Sequence, residues 1–299
     1  MELRRLTSIA VFLVVGSACE ASQGGETEAV DTIVVADETE VVGSDVDCSL
    51  EALQGGDEEF VFTSAYVVVD GELGGPCFGN DDDTILGAWD ALATITPDGQ
   101  LGDLVLFGGF EPDGEVAEET LAFVTPVDSD GSGFQMSINT VDAVADPDEL
   151  LLTLAHEFTH VFTATPDQLD RTDEAIDDCA TYFNGEGCYL TDSLMFDWIG
   201  DFWDPDVLAS VDPLEESVDD TDARCLDDDG FFGAYAATNP EEDFAEAFSA
   251  FVFDLEPATD GQADRLEWIT AQPGLAEFRE RAEMAAMTPL ANNFDVCGT

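Results

Sequence analysis

The chain has 299 residues, with 68 acidic side chains against 7 basic ones, no lysine, and a formal charge of −61. A surface this acidic repels phosphate backbones and anionic headgroups, which excludes nucleic acid and anionic lipid as partners. Hydrophobic residues still make up 45% of the chain, so it folds around a core, as one large domain or two small ones. Carboxylates at this density suit salty surroundings, where they stay hydrated and their repulsion is screened.

The N-terminus reads as a targeting segment, residues 1–18. Arg4 and Arg5 precede an apolar run from Leu6 to Val15 that is too short to be a good membrane span. Gly16-Ser-Ala-Cys19 follows, and small residues before a cysteine resemble a lipoprotein cleavage site. An anchor at Cys19 is then the expected membrane link and the cell surface the expected location, with ordinary secretion as the alternative. Residues 19–44 are rich in Gly, Ser, Thr, Asp and Glu and read as a flexible acidic linker. The folded domain is expected over 45–299. Without Cys19, six cysteines remain, an even number that suggests three disulfides in an exported chain. Cys179–Cys188, across the Asn184-Gly-Glu-Gly turn, is the expected pair. The absence of a Cys-x-x-Cys pair disfavours cysteine as a metal ligand.

Within the domain, Phe60 to Val69 reads as a strand and Asp83 to Thr94 as a helix. Leu104 to Phe107 and Leu121 to Val124 read as short strands. Phe134 to Asn139 alternates Phe, Met, Ile with Gln, Ser, Asn, the pattern of a half-exposed strand. Asp146-Pro147-Asp148-Glu149 combines an N-cap, a first-turn proline and acidic residues suited to the dipole. It starts a helix expected from Pro147 to about Phe162, with Pro166 beyond its end. Helices are then expected over 172–183, 191–203, 239–254 and 261–287, with Pro and Gly breaks. Strands first and helices after make the fold class α+β. Asp128-Ser-Asp130-Gly-Ser-Gly and Asn80-Asp-Asp-Asp83 are oxygen-rich turns that raise calcium as a further cofactor, though neither completes an EF-hand loop.

The chain's two histidines both lie in His156-Glu-Phe-Thr-His160. Four apart on a helix, they share one face one turn apart, the spacing that lets two imidazoles bind one zinc ion. Glu157 stands beside them, where a carboxylate can take a proton from a water. A catalytic zinc needs a third protein ligand, and with no third histidine it must be a carboxylate. Residues 235–248 narrow the choice. Asn239-Pro240 starts a helix whose Phe244, Ala247, Phe248 and Phe251 form an apolar stripe. Glu242 and Glu246 share another face, so one can bind zinc while the other orients an imidazole. Glu174 and Asp177 are rival ligands, and an exposed acidic helix face is the bland reading of Glu242 and Glu246.

His156-Glu157-x-x-His160 followed by Glu242-Asp-Phe-Ala-Glu246 resembles the gluzincin zinc metallopeptidases. Within them it is most similar to the lethal-factor-like group and to lipoproteins described as zinc-binding metallopeptidases. The likeness covers two short segments, and the long stretch between them leaves room for an insertion. It implies a zincin-like fold: an N-terminal mixed sheet with the active-site helix, then a mostly helical C-terminal subdomain. It implies Zn2+ on His156, His160 and Glu242, with Glu246 behind a ligating imidazole. It also implies Glu157 as general base and Tyr235 as an oxyanion donor, although Tyr235 also reads as an aromatic packed beside Phe231 and Phe232. The reaction implied is hydrolysis of a peptide bond in a peptide or protein substrate. Strand Phe134–Asn139 is then expected as the sheet edge that pairs with substrate. The competing class is an exported surface module that binds zinc or calcium without catalysis.

Overall fold

The computed structural model describes residues 46–172, 179–213, 221–289 and 297. The targeting segment, the linker, the anchor position Cys19 and the ligand candidates Glu174 and Asp177 lie outside the described residues.

Ten alternating residues make β1 (Phe60–Val69), which pairs antiparallel with β2 (Glu72–Phe78) on one side and β3 (Leu104–Pro112) on the other. Beyond β3 come β5 (Phe134–Asn139), parallel to it, and β4 (Ala122–Pro126), antiparallel to β5. The sheet order is β2-β1-β3-β5-β4. Strand β2 escapes the sequence reading because Glu-Leu-Gly-Gly-Pro-Cys-Phe is mostly exposed and carries glycine and proline, as an edge strand can. The Cys48–Cys77 disulfide ties it to the start of the domain.

One sheet face packs on α2 (Asp83–Ile95) and α5 (Pro147–Thr163) through Phe107, Met136, Ile138 and Trp89. Helix α2 comes close because Gly109 is bare: a Cβ there would stand 2.8 Å from Ile85. The other face holds Phe60, Phe62, Phe110 and Phe123, covered by α1 (Leu50–Gln54), which contributes Leu53, and α3 (Glu115–Glu119).

This double cover corrects the reading of Phe134–Asn139. The strand is an interior one, buried at all six positions, and β4 is the edge on that side of the sheet. Its polar residues are buried because they have partners. Gln135 donates to Leu53 O at 3.0 Å, and Asn139 donates to Thr120 O at 3.1 Å. Asn139 Oδ1 also caps α4 (Thr140–Ala145). A period of two distinguishes the two faces of a strand, but says nothing of what covers the second face.

After α5 the chain forms a two-stranded ribbon, β6 (Leu169–Asp170) with β7 (Cys188–Tyr189). The helix expected over 172–183 is corrected over 179–183. Tyr189 N donates to Tyr182 O, Asn184 N donates to Gly187 O, and Cys179–Cys188 closes the loop, so this stretch turns back on itself. Residues 173–178 lie outside the described residues.

Helices follow: α6 (Leu194–Phe202), α7 (Pro205–Leu208), α8 (Thr221–Asp227), α9 (Pro240–Val252), α10 (Asp260–Ala271) and α11 (Ala276–Met284). The last two are split at Pro273-Gly274, with Gly274 at φ 86°. The whole is α+β, a mixed sheet followed by helices. Cys225–Cys297 is the third disulfide, as expected of a chain matured in an oxidising compartment. No helix among the described residues is long and apolar enough to cross a membrane.

Candidate metal centre

Helix α5 begins where the sequence says it should. Asp146 accepts from Glu149 N at 3.2 Å and Pro147 fills the first turn. Leu154, Ala155, Phe158 and Val161 bury one side, and Phe158 packs against Phe278 at 6.0 Å. His156, Glu157 and His160 stand on the same helix, with His156 4% and Glu157 1% exposed.

Helix α9 lies against α5, and Ser249 Oγ donates to Leu152 O at 2.9 Å between them. Asn239 caps its start by accepting from Glu242 N at 2.9 Å, and Pro240 occupies the first turn. Phe244 and Phe248 meet Phe162 of α5 at 6.2 and 5.4 Å. That apolar contact turns Glu242 and Glu246 inward, where each is 4% exposed.

The two helices bring their polar groups to one point. Nε2 of His156 lies 3.4 Å from Nε2 of His160 and 3.0 Å from Glu242 Oε2. Glu242 Oε1 lies 3.8 Å from His160 Nε2. Behind this group, His156 Nδ1 faces Glu246 Oε1 at 2.8 Å. His156, His160 and Glu242 form the one group of three metal-ligating side chains found among the described residues.

The group fits a zinc ion. Tetrahedral zinc with bonds of roughly 2.0–2.1 Å places neighbouring ligand atoms about 3.3 Å apart, close to the separations here. When Nδ1 of His156 donates to Glu246, a neutral ring presents a lone pair at Nε2. Glu242 Oε2 is buried, 3.0 Å from that nitrogen. Two acceptors at that distance need a cation between them: a second proton on His156 or a metal.

The electrostatics agree. Burial disfavours a charged His156, but hydrogen bonds to Glu242 and Glu246 and their charges outweigh it and raise its pKa well above the usual imidazole value. Burial lowers His160 to about 4, so it stays neutral, the form that ligates. Burial pushes the Glu242 carboxyl up, yet His160, His156 and Tyr235 together hold it below the usual range.

Tyr235 is brought to the same place. Its ring centroid lies 5.9 Å from that of His156, and its hydroxyl is hydrogen-bonded to Glu242. Burial, with the charges of Glu242, Glu157 and Glu246, raises its pKa well above the usual phenol value, so it keeps its proton.

The acidic turns considered for calcium serve the fold. Asp82 caps α2 through Thr84 N and Ile85 N, while Asp128 and Asp130 accept from Ser132 N.

Two features next to Glu242 escaped the sequence reading. Asp243 is fully buried and accepts from Trp198 Nε1 at 3.1 Å, Trp203 Nε1 at 3.0 Å and Arg265 Nε at 3.0 Å. Glu241 takes a hydrogen bond from Tyr189, and burial raises its carboxyl to about 8. Scarcity was the available signal for Arg265, one of only seven basic residues.

No protein-family model and no curated protein matches the chain. Among solved structures it is similar to a "putative zinc-binding metallo-peptidase" from Bacteroides caccae ATCC 43185, at 13% identity and a TM-score of 0.24. The alignment covers 67% of this chain and 62% of that one, so it spans less than two thirds of the neighbour. A likeness this distant shows neither a family nor an activity for this chain.

Proposed function

We propose that the chain is a zinc-dependent peptidase of zincin-like fold, with His156, His160 and Glu242 as ligands. The observation that carries it is the convergence of two imidazoles and a buried carboxylate from α5 and α9, with Glu246 against the far nitrogen of His156. Held by His156, His160 and Glu242, zinc would supply a Lewis acid that acidifies a water and polarises a carbonyl.

The residues divide the remaining work. Glu157, buried beside the ligands, takes the proton of the attacking water and delivers it to the departing amine. Tyr235 keeps its proton and donates a hydrogen bond to the developing oxyanion. Glu246 holds the tautomer and orientation of His156. The sheet edge on the β5 side is β4, paired with β5 along Ala122–Pro126, and an extended peptide would pair there. Backbone pairing there would hold a substrate with little demand on its sequence.

The test compares the chain with its Glu157→Gln variant on a mixed peptide library, in high salt with zinc, read by mass spectrometry. Cleavage by wild type alone, with zinc bound by both, supports the peptidase. Equal turnover by the variant overturns the role of Glu157. Zinc binding without cleavage by either favours a non-catalytic zinc module.

A further inference from the structure

Helix α9 carries three consecutive acids with three different sets of partners. Glu242 faces the histidines of α5, and Glu241 meets Tyr189 of the β6–β7 ribbon. Asp243 points into the helical part of the domain, toward α6 and α10. Its Oδ2 accepts from both indoles, Trp198 within α6 and Trp203 at the end of α6, and its Oδ1 accepts from Arg265 of α10. Arg265 is itself only 2% exposed. Its guanidinium lies 4.9 Å from the Phe231 ring and 5.0 Å from the Phe202 ring, and it reaches Asp228 at 3.1 Å.

Such a network adds little to stability for its cost. Replacing a buried ionic cluster by well-packed apolar residues is often neutral or favourable, and the best-attested use of these clusters is to select one arrangement. Here the arrangement selected is the rotation of α9. A helix turns by roughly 100° per residue, so Glu242 and Glu246 share one face and Asp243 points well away from it. Apolar contacts of Phe244 and Phe248 fix the distance between α5 and α9, but rings tolerate sliding. A rotation of about 20° moves a carboxylate at a radius of about 6 Å by roughly 2 Å. Zinc ligands must stand within about 0.2 Å of their ideal distance. Three donors on two oxygens forbid that rotation.

We propose that Asp243 is a positioning residue for the metal centre: held by Trp198, Trp203 and Arg265, it sets the rotation of α9 that aims Glu242 and Glu246 at His156. The proposal rests on the reading of His156, His160 and Glu242 as a metal site. Asparagine in its place would keep the volume and turn one acceptor into a donor facing donors.

The experiment uses the wild-type protein and the variants Asp243→Asn, Trp203→Phe and Asp228→Asn. Zinc affinity is measured by competition with a chromophoric chelator, metal geometry by the visible spectrum of bound cobalt(II), and folding by circular dichroism and thermal unfolding. In folded Asp243→Asn, zinc affinity should fall by roughly 10–100-fold, as when groups behind a metal ligand are changed, and the cobalt bands should shift. Trp203→Phe should move both in the same direction by less. Asp228→Asn removes only the outer partner of Arg265 and should keep wild-type affinity and spectrum. Wild-type affinity and spectrum in folded Asp243→Asn overturn the proposal, as does an equal loss in Asp228→Asn. Where Asp243→Asn does not fold, folded Trp203→Phe with unchanged affinity and spectrum overturns it. A wild-type chain that binds neither zinc nor cobalt overturns the metal reading itself.

Discussion

His156 Nδ1 stands 2.8 Å from Glu246 Oε1, although the two residues are 90 positions apart in the chain. The contact commits one imidazole nitrogen to a carboxylate and leaves the other facing Glu242. It therefore defines which nitrogen a metal can use. Glu246→Gln should weaken zinc binding by roughly 10–100-fold while the fold is kept. Equilibrium dialysis, with circular dichroism as the control, measures this, and unchanged affinity would reduce Glu246 to a packing role.

Tyr235→Phe removes a hydroxyl and little else. With zinc saturating, turnover should drop by roughly 10²–10³, the usual cost of one oxyanion donor, beyond any loss of zinc affinity from the missing hydrogen bond to Glu242. Steady-state kinetics on the best substrate from the peptide library decide it. Full activity would make Tyr235 a packed ring beside Phe231 and Phe232.

Zinc uptake should release protons. In the metal-free chain Glu242 and Glu246 hold the pKa of His156 well above its usual value despite burial, so the ring is protonated near neutral pH. Zinc bound at His156 would take the place of that proton. His160, lowered to about 4 by burial, has none to lose there. Zinc affinity should thus rise with pH through the elevated His156 pKa and then level off. Calorimetry in buffers of different ionisation enthalpy should register release of about one proton per zinc bound. A heat independent of the buffer contradicts this.

Salt should stabilise the fold. With a formal charge of −61, the folded chain concentrates repulsion that the unfolded chain spreads out. Raising salt from about 0.1 M to 1 M shortens the screening length from roughly 10 Å to 3 Å. Tm should rise by roughly 5 °C or more, equivalent to about 2 kcal/mol. A flat or falling Tm across that range would mean that the acidic surface is not under electrostatic strain.

Much of the candidate centre's local geometry was legible in advance. Two histidines four apart with a glutamate between them need only a helix, and Asp146-Pro147 announces one. Glu242 and Glu246 share a helix face for the same reason, and Asn239-Pro240 announces that helix. The short turn between Cys179 and Cys188 made their pairing readable too. The covering of β5 was less accessible, because alternation describes a strand and not its neighbours. Strand β2 was hidden by glycine, proline and exposure, which an edge tolerates.

By itself, then, the sequence determined what depends on near neighbours: the two-histidine helix, the face shared by Glu242 and Glu246, and the α+β order of elements. Tertiary structure alone decided which distant groups meet. It set Glu242 as the carboxylate grouped with both histidines and Glu246 behind His156, buried β5 and left β4 at the edge beside it, and gathered Trp198, Trp203 and Arg265 on Asp243. The physical reason is reach. Helical periodicity is a property of the local backbone, whereas the meeting of α5 and α9 follows from packing Phe158, Phe162, Phe244 and Phe248 into one core.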